Sequence, residues 1–184
     1  MIEKTLQDVK ALVAVANSDR APDIVIEGAS VFDVFTGELF RADLWTCGNW
    51  IAYVGEKKAK ITEETKVIEA SGLVAVPGYI DAHGHADIFF NPATFSDVAV
   101  TKGTTTVFSD SHDLMSCIGP KGFVEVLRES RHFNMKYLWG VPATYPPYPE
   151  VENVSVFSVY DIWSLFSRYP ECASVSEVSS YLRI

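Results

Sequence analysis

Nowhere does the chain run to the ~20 consecutive apolar residues that a membrane-spanning helix needs. The opening residues, MIEKTLQDVKALVAVANSDR, mix both signs of charge and lack the apolar core and small-residue cleavage site of a secretory signal. Positive charge is scarce: 15 Lys and Arg against 24 Asp and Glu give a net charge of −9. That excludes the basic face on which nucleic-acid phosphates or anionic lipids dock, so neither a nucleic acid nor a membrane is expected as partner. Cysteine is sparse as well. Cys47, Cys117 and Cys172 are far apart, odd in number and without zinc-finger spacing; they read as reduced structural thiols, with a cytoplasmic location. No glycine-rich loop follows a strand in the manner of dinucleotide binding. Low-complexity tracts and internal repeats are missing too. What remains, 48% hydrophobic and 21% charged over 184 residues, suits a globular chain of one ordinary domain, or of one small and one incomplete larger domain.

Three textures follow one another. Residues 1–21 carry apolar positions at Leu6, Val9, Leu12, Val13 and Val15, which is helical spacing, and Arg20-Ala21-Pro22 breaks it. Residues 22–76 hold short β-rich runs with turn signals at Gly28, Thr36-Gly37 and Gly48-Asn49, which predict a small antiparallel sheet unit. From residue 77 onward strand and helix alternate. YIDAH reads as a first buried strand, ATFSDVAVTKG as a helix ended by Gly103, and TTTVFSD as a second strand. Gly119-Pro120 opens a helix over KGFVEVLRESRHF, with Cys117 in the loop before it. KYLWGVPAT is a third strand, YPPYPEVEN a proline-rich loop, VYDIWSLFSRY a helix and ECASVSEVSS a fourth strand. The alternation implies right-handed βαβ units and a parallel sheet. Four such units are too few to close an eight-stranded barrel; an independent four-stranded α/β domain is the plainer alternative.

Only four histidines are present, and two stand one residue apart where an apolar run stops, in VPGYIDAHGHADIFF (76–90). On a strand, side chains at i and i+2 share a face, so His83 and His85 aim two imidazoles at one point. Such a pair suits a zinc-like ion ~2.0–2.1 Å from each nitrogen. Asp81 and Asp87 flank the pair as ligand or orienting carboxylates, although Asp81 fits a strand-end turn equally well. A second group, Asp110, His112 and Asp113 in SDSHD, ends the second strand; its plain reading is a cap on the next helix. Glu177 is a lone carboxylate in a small, apolar fourth strand. Facing a sheet interior it must be paired, metal-bound or protonated; on an edge it is merely solvated.

The order of these features, a β-rich segment, then VPGYIDAHGH, a helix, KGTTTVFSD and SHD, resembles the metal-dependent amidohydrolases. Within them it is most similar to the prokaryotic type of adenine deaminase. PDIVIEGASVFDVFTGELFRADL, KGTTTVFSDSHDL and VPAT at 141–144 carry the likeness. The resemblance implies the N-terminal part of a TIM-like (β/α)8 barrel, about four βα units over 77–184, preceded by a small β-sandwich subdomain. It implies His83 and His85 as ligands of one divalent ion (manganese, iron or zinc) and Glu177 as the bridge to a second. Asp110, His112 and Asp113 fall in its catalytic cluster and Asp87 beside the substrate. The implied reaction turns adenine and water into hypoxanthine and ammonia, in purine metabolism. Asp87 stands where the family has glutamate, Ser111 where it has proline, and Asp113 where it has glutamate; each Asp draws its carboxylate back by about one methylene. Later ligands of the family are not in this sequence, so the resemblance implies an incomplete site, inactive alone, associating with itself or with a further part. A cyclic-amide substrate, as in dihydroorotase-like or hydantoinase-like relatives, and a non-catalytic assembly module are the other readings.

Overall fold

The computed structural model describes residues 4–110, 112–143 and 157–178. The chain divides into two compact units, Ile2–Pro77 and Gly78–Ile184.

In the first unit, helix α1 (Leu6–Ala16) starts at Thr5, whose hydroxyl accepts the Asp8 N–H while the Asp8 carboxylate accepts the Thr5 N–H. The helix packs on β2 (Leu39–Cys47) and β3 (Trp50–Gly55) and seals Val15 against Val25, Trp45 and Cys47. The sheet runs β3-β2-β1-β4, with β1 spanning Ile24–Phe32 and β4 Lys66–Glu69; β5 (Val74–Ala75) also pairs β1. Strands β1 to β3 are antiparallel as the sequence predicts, but β4 and β5 run parallel to β1, so the sheet is mixed. The physical reason is the connection over residues 56–65, long enough to cross over rather than turn back as a hairpin. Gly28 does not turn the chain either. It sits inside β1 at φ 73°, where a bulge shifts the register between Ile26 and Ala29. Its N–H donates to Asp43 Oδ1 at 2.9 Å.

The second unit is a parallel sheet in the order β6-β7-β8-β9, with helices in the connections. Its elements are β6 (Tyr79–Gly84), α2 (Pro92–Val100), β7 (Thr104–Ser109), α3 (His112–Ser130), β8 (Lys136–Val141), α4 (Val159–Arg168) and β9 (Cys172–Val175). Asn91 caps α2 by accepting the Thr94 N–H at 2.8 Å, and Ser158 with Asp161 makes a capping box on α4. The core forms on the central strand β8: Trp139 stacks on Tyr137 with ring centres 4.7 Å apart and meets Phe123 edge-on at 5.9 Å. Val107, Leu127 and Leu165 fill in around them. Among the described residues no helix is long and apolar enough to cross a membrane.

Three local expectations are corrected. The apolar strand YIDAH is not buried: among the described residues β6 is an edge strand with a neighbour on one side only, and Tyr79 and Ile80 are 66% and 65% exposed. The stretch before Gly119 is not a loop. Helix α3 begins at His112, breaks at Gly119 (φ 70°, ψ −179°) and resumes at Pro120, so Cys117 lies on its first segment. Strand β9 ends at Val175, leaving Glu177 two residues beyond it. The proline-rich segment 145–153 and the tail 180–184 lie outside the described residues.

Arg131, just past α3, grips Glu171 with Nε and Nη2 at 2.6 and 3.2 Å from the two carboxylate oxygens. Burial pushes the Glu171 carboxyl up, but the Arg131 hydrogen bond outweighs it and holds the group below its ordinary range. A depressed carboxyl stabilises the fold above its unfolded value, about 4.3, and that contribution disappears as pH falls through the folded value. Arg131→Ala strands the carboxylate and is expected to cost about 1–3 kcal/mol at neutral pH. Urea unfolding at pH 7 and pH 3 checks it: the deficit shrinks at the acid end.

Candidate metal centre

The site is built at the C-terminal rim of the parallel sheet. Pairing of β6 with β7 becomes irregular between Asp81 and Gly84, and the strand ends there. Asp81 Oδ1 accepts the His83 N–H at 3.3 Å, a strand-end turn. His85, at φ −114° and ψ 59°, leads into a single 3-10 turn over Ala86–Ile88. The two imidazoles converge: their Nε2 atoms are 3.0 Å apart, with the rings nearly perpendicular at 75°. Glu177 reaches both, with Oε2 at 3.4 Å from His83 Nε2 and Oε1 at 3.7 Å from His85 Nε2.

That contact spans the sheet. His83 belongs to one edge strand and Glu177 follows the other, with β7 and β8 between them. Three steps of ~4.8 Å on a flat sheet separate such strand ends by about 14 Å. The long His83 and Glu177 side chains, with the segment beyond β9, close that gap to 3.4 Å. The three donors also fit a divalent ion chemically. Neighbouring ligands ~2.0–2.2 Å from one ion sit about 3–3.5 Å from each other, and the donor spacings here run from 3.0 to 3.7 Å. Among the described residues, His83, His85 and Glu177 form the group of ligating side chains that could share an ion.

The second cluster lies against the first. Asp110, just past β7, donates its N–H to Gly84 O at 2.9 Å and accepts the Glu177 N–H on Oδ2 at 2.6 Å. Its Oδ1 faces His112 Nδ1 at 3.6 Å, and His112 Nε2 lies 4.0 Å from Asp113 Oδ1. The His112 ring is edge-on to His85, with centres 5.1 Å apart. Burial pushes the Asp110 carboxyl up, but pairing with His112, the Glu177 N–H and the charges of His112 and His85 outweigh it, and the group sits below its ordinary value. The bond to Asp110 raises His112 against the opposing effect of burial, and the charges of Asp113, Asp110 and Glu177 add to it.

The other sequence candidates fall elsewhere. Asp87 Oδ2 accepts the Leu114 N–H at 3.1 Å, so this carboxylate serves the first turn of α3. Ser111 lies outside the described residues. Burial pushes the Cys172 thiol up to about 12, in keeping with a structural thiol. Gly140 is the residue that sequence reasoning passed over. A side chain there would meet Asp110 Oδ1 at 3.0 Å and the Ser176 Cα at 3.2 Å. The signal was available, because glycine inside the strand KYLWGV marks a close approach. His83, Asp110, Gly140 and Glu177 help line a cleft of ≈ 290 Å³.

A parallel α/β sheet with imidazoles and carboxylates gathered at its strand ends is the build of an amidohydrolase. No protein-family model matches the chain. It is 34% identical over 173 residues, 94% of its length, to an adenine deaminase of Moorella thermoacetica. To an adenine deaminase of Archaeoglobus fulgidus it is 32% identical over 145 residues. It spans 29% and 25% of those two relatives. Among solved structures, a β-aspartyl dipeptidase of Fervidobacterium islandicum AW-1 superposes with a TM-score of 0.55 at 17% identity, over 86% of this chain and 42% of that one, a likeness of fold alone. Most of the chain is thus similar to a part of curated adenine deaminases.

Replacing Asp87 by Ala removes a carboxylate from the start of α3 and is expected to lower stability by about 1 kcal/mol. Urea denaturation of the variant beside the parent measures this.

Proposed function

We propose that the chain carries the first ligand segment of a metal-dependent aminohydrolase that converts adenine and water to hypoxanthine and ammonia. The observation that carries the reading is the convergence of His83, His85 and Glu177, with donor atoms 3.0–3.7 Å apart. The finer architecture is part of the proposal: β6 to β9 are the first four strands of a (β/α)8 barrel, and the mixed sheet of the first unit belongs to a β-sandwich subdomain. Exposed β6 and β9 edges, with Tyr79, Ile80 and Val175 open to solvent, favour association with further strands, from a second copy or from chain outside this sequence.

Imidazole and carboxylate donors accept manganese, iron or zinc alike. In the complete protein two ions are proposed, with Glu177 shared between them. A divalent ion held here supplies Lewis acidity and a water acidified toward neutral pH. The chain's own residues do the rest. His83 and His85 hold the cation. His112, its basicity raised by Asp110, lies beside the site, where it would act as the acid toward a ring nitrogen or the leaving amino group. The Asp110 and Asp113 carboxylates, 3.6 and 4.0 Å from its two ring nitrogens, favour the protonated form of that imidazole. In the family pattern Asp87 stands beside the substrate.

Titration calorimetry with manganese or zinc tests the reading. The chain is expected to bind a divalent ion, and His83→Ala or His85→Ala to weaken binding at least tenfold. Ammonia release from adenine is expected only once the further ligands of the family are present. Absence of divalent-ion binding by the chain contradicts the proposal.

A further inference from the structure

Asp110 is the best-shielded carboxylate of the rim, its side chain only 8% exposed. Its two oxygens differ: only Oδ2 accepts a hydrogen bond, while Oδ1 is buried without one. Oδ2 accepts the Glu177 N–H at 2.6 Å, and Oδ1 faces the His112 imidazole at 3.6 Å. Its own N–H is spent on Gly84 O, the last residue of β6, at 2.9 Å. One residue thus touches the end of β6, the end of β7 and the segment beyond β9. To do so it must pass β8, and the position it passes is Gly140. A Cβ on Gly140 would lie 3.0 Å from Asp110 Oδ1 and 3.2 Å from the Ser176 Cα, tight enough that both must move.

We propose that Asp110 is a positioning residue: passing over the bare backbone of Gly140, its carboxylate binds the Glu177 N–H and so carries the Glu177 side chain to the imidazoles of His83 and His85. The inference rests on the cation site proposed above. The role it assigns to Asp110 is exerted through Oδ2 on Glu177. A hydrogen bond from a backbone N–H to a buried carboxylate is among the stronger kinds. The Ser176 N–H still donates to Val141 O at 2.9 Å, and the Asp110 bond holds the chain one residue further, at Glu177 itself. Glu177 is itself 43% exposed, so little else in its surroundings holds it.

The test needs no turnover. In the cation-free chain, the Glu177 amide proton resonance is expected far downfield in the parent and shifted upfield in Asp110→Ala, with Asp110→Asn in between because its amide oxygen still accepts. With cobalt as probe, Asp110→Ala is expected to weaken binding about 10–100-fold and to alter the visible absorption as the carboxylate donor leaves. Asn restores most of both. Gly140→Ala keeps the carboxylate but crowds it, and shifts both readouts toward those of Asp110→Ala; it serves if the Asp110→Ala chain fails to fold. Adding Asp110→Ala to Glu177→Ala costs nothing more, since the first acts through the second. An unmoved Glu177 amide, or cobalt affinities for the two single changes that multiply in the double variant, overturns the proposal while leaving the cation site standing. A parent chain that binds no cobalt removes the cation site instead, and the amide resonance alone then decides the role of Asp110.

Discussion

Side chains from opposite margins of one four-stranded sheet touch each other, and this contact governs the rest of the second unit. His83 ends one edge strand, Glu177 follows the other, and 3.4 Å separates their polar atoms. Their meeting joins the two margins of the sheet, with a bulky core on one side and a bare position at the rim. Trp139, Tyr137 and Phe123 supply the bulk against the helices. At the rim, Gly140 supplies the bare position over which Asp110 reaches the Glu177 amide.

Gathering carboxylates is electrostatically costly, and the rim contains the means of offsetting that cost. Asp110, Asp113 and Glu177 share their neighbourhood with three imidazoles, His83, His85 and His112. His112 is the buried one and is drawn toward its charged form, which neutralises Asp110 locally. His83 and Glu177 stay about half exposed, where water tempers their interaction and a hydrated cation has access. A chain with net charge −9 attracts such a cation rather than an anion.

Much of this was legible in the sequence, and the failures have physical causes. The His-x-His spacing set His83 and His85 side by side, and their rings do meet, but not through a shared strand face: β6 ends at Gly84, and His85 already leads into the 3-10 turn. Alternating strand and helix patterns foretold the parallel sheet, because periodicity is a local property. Burial of β6 was misjudged, since an apolar run does not tell an inner strand from an edge strand; that depends on which strands pair elsewhere. The helix from His112 to Ile118 was hidden by Gly119-Pro120, which looked like a beginning and is a break. Parallel pairing of β4 with β1 is a long-range choice that short β-rich runs leave open. Asp87 serving the Leu114 N–H was invisible for the same reason: the two residues are far apart in the chain.

The most direct measurement is a crystal structure of the chain grown with cobalt or manganese, with anomalous scattering used to locate the ion. The account predicts an anomalous peak bonded to Nε2 of both His83 and His85 and to a carboxylate oxygen of Glu177, at about 2.0–2.3 Å from each. Imidazoles turned away from each other, with no ion between them and Glu177, would contradict it.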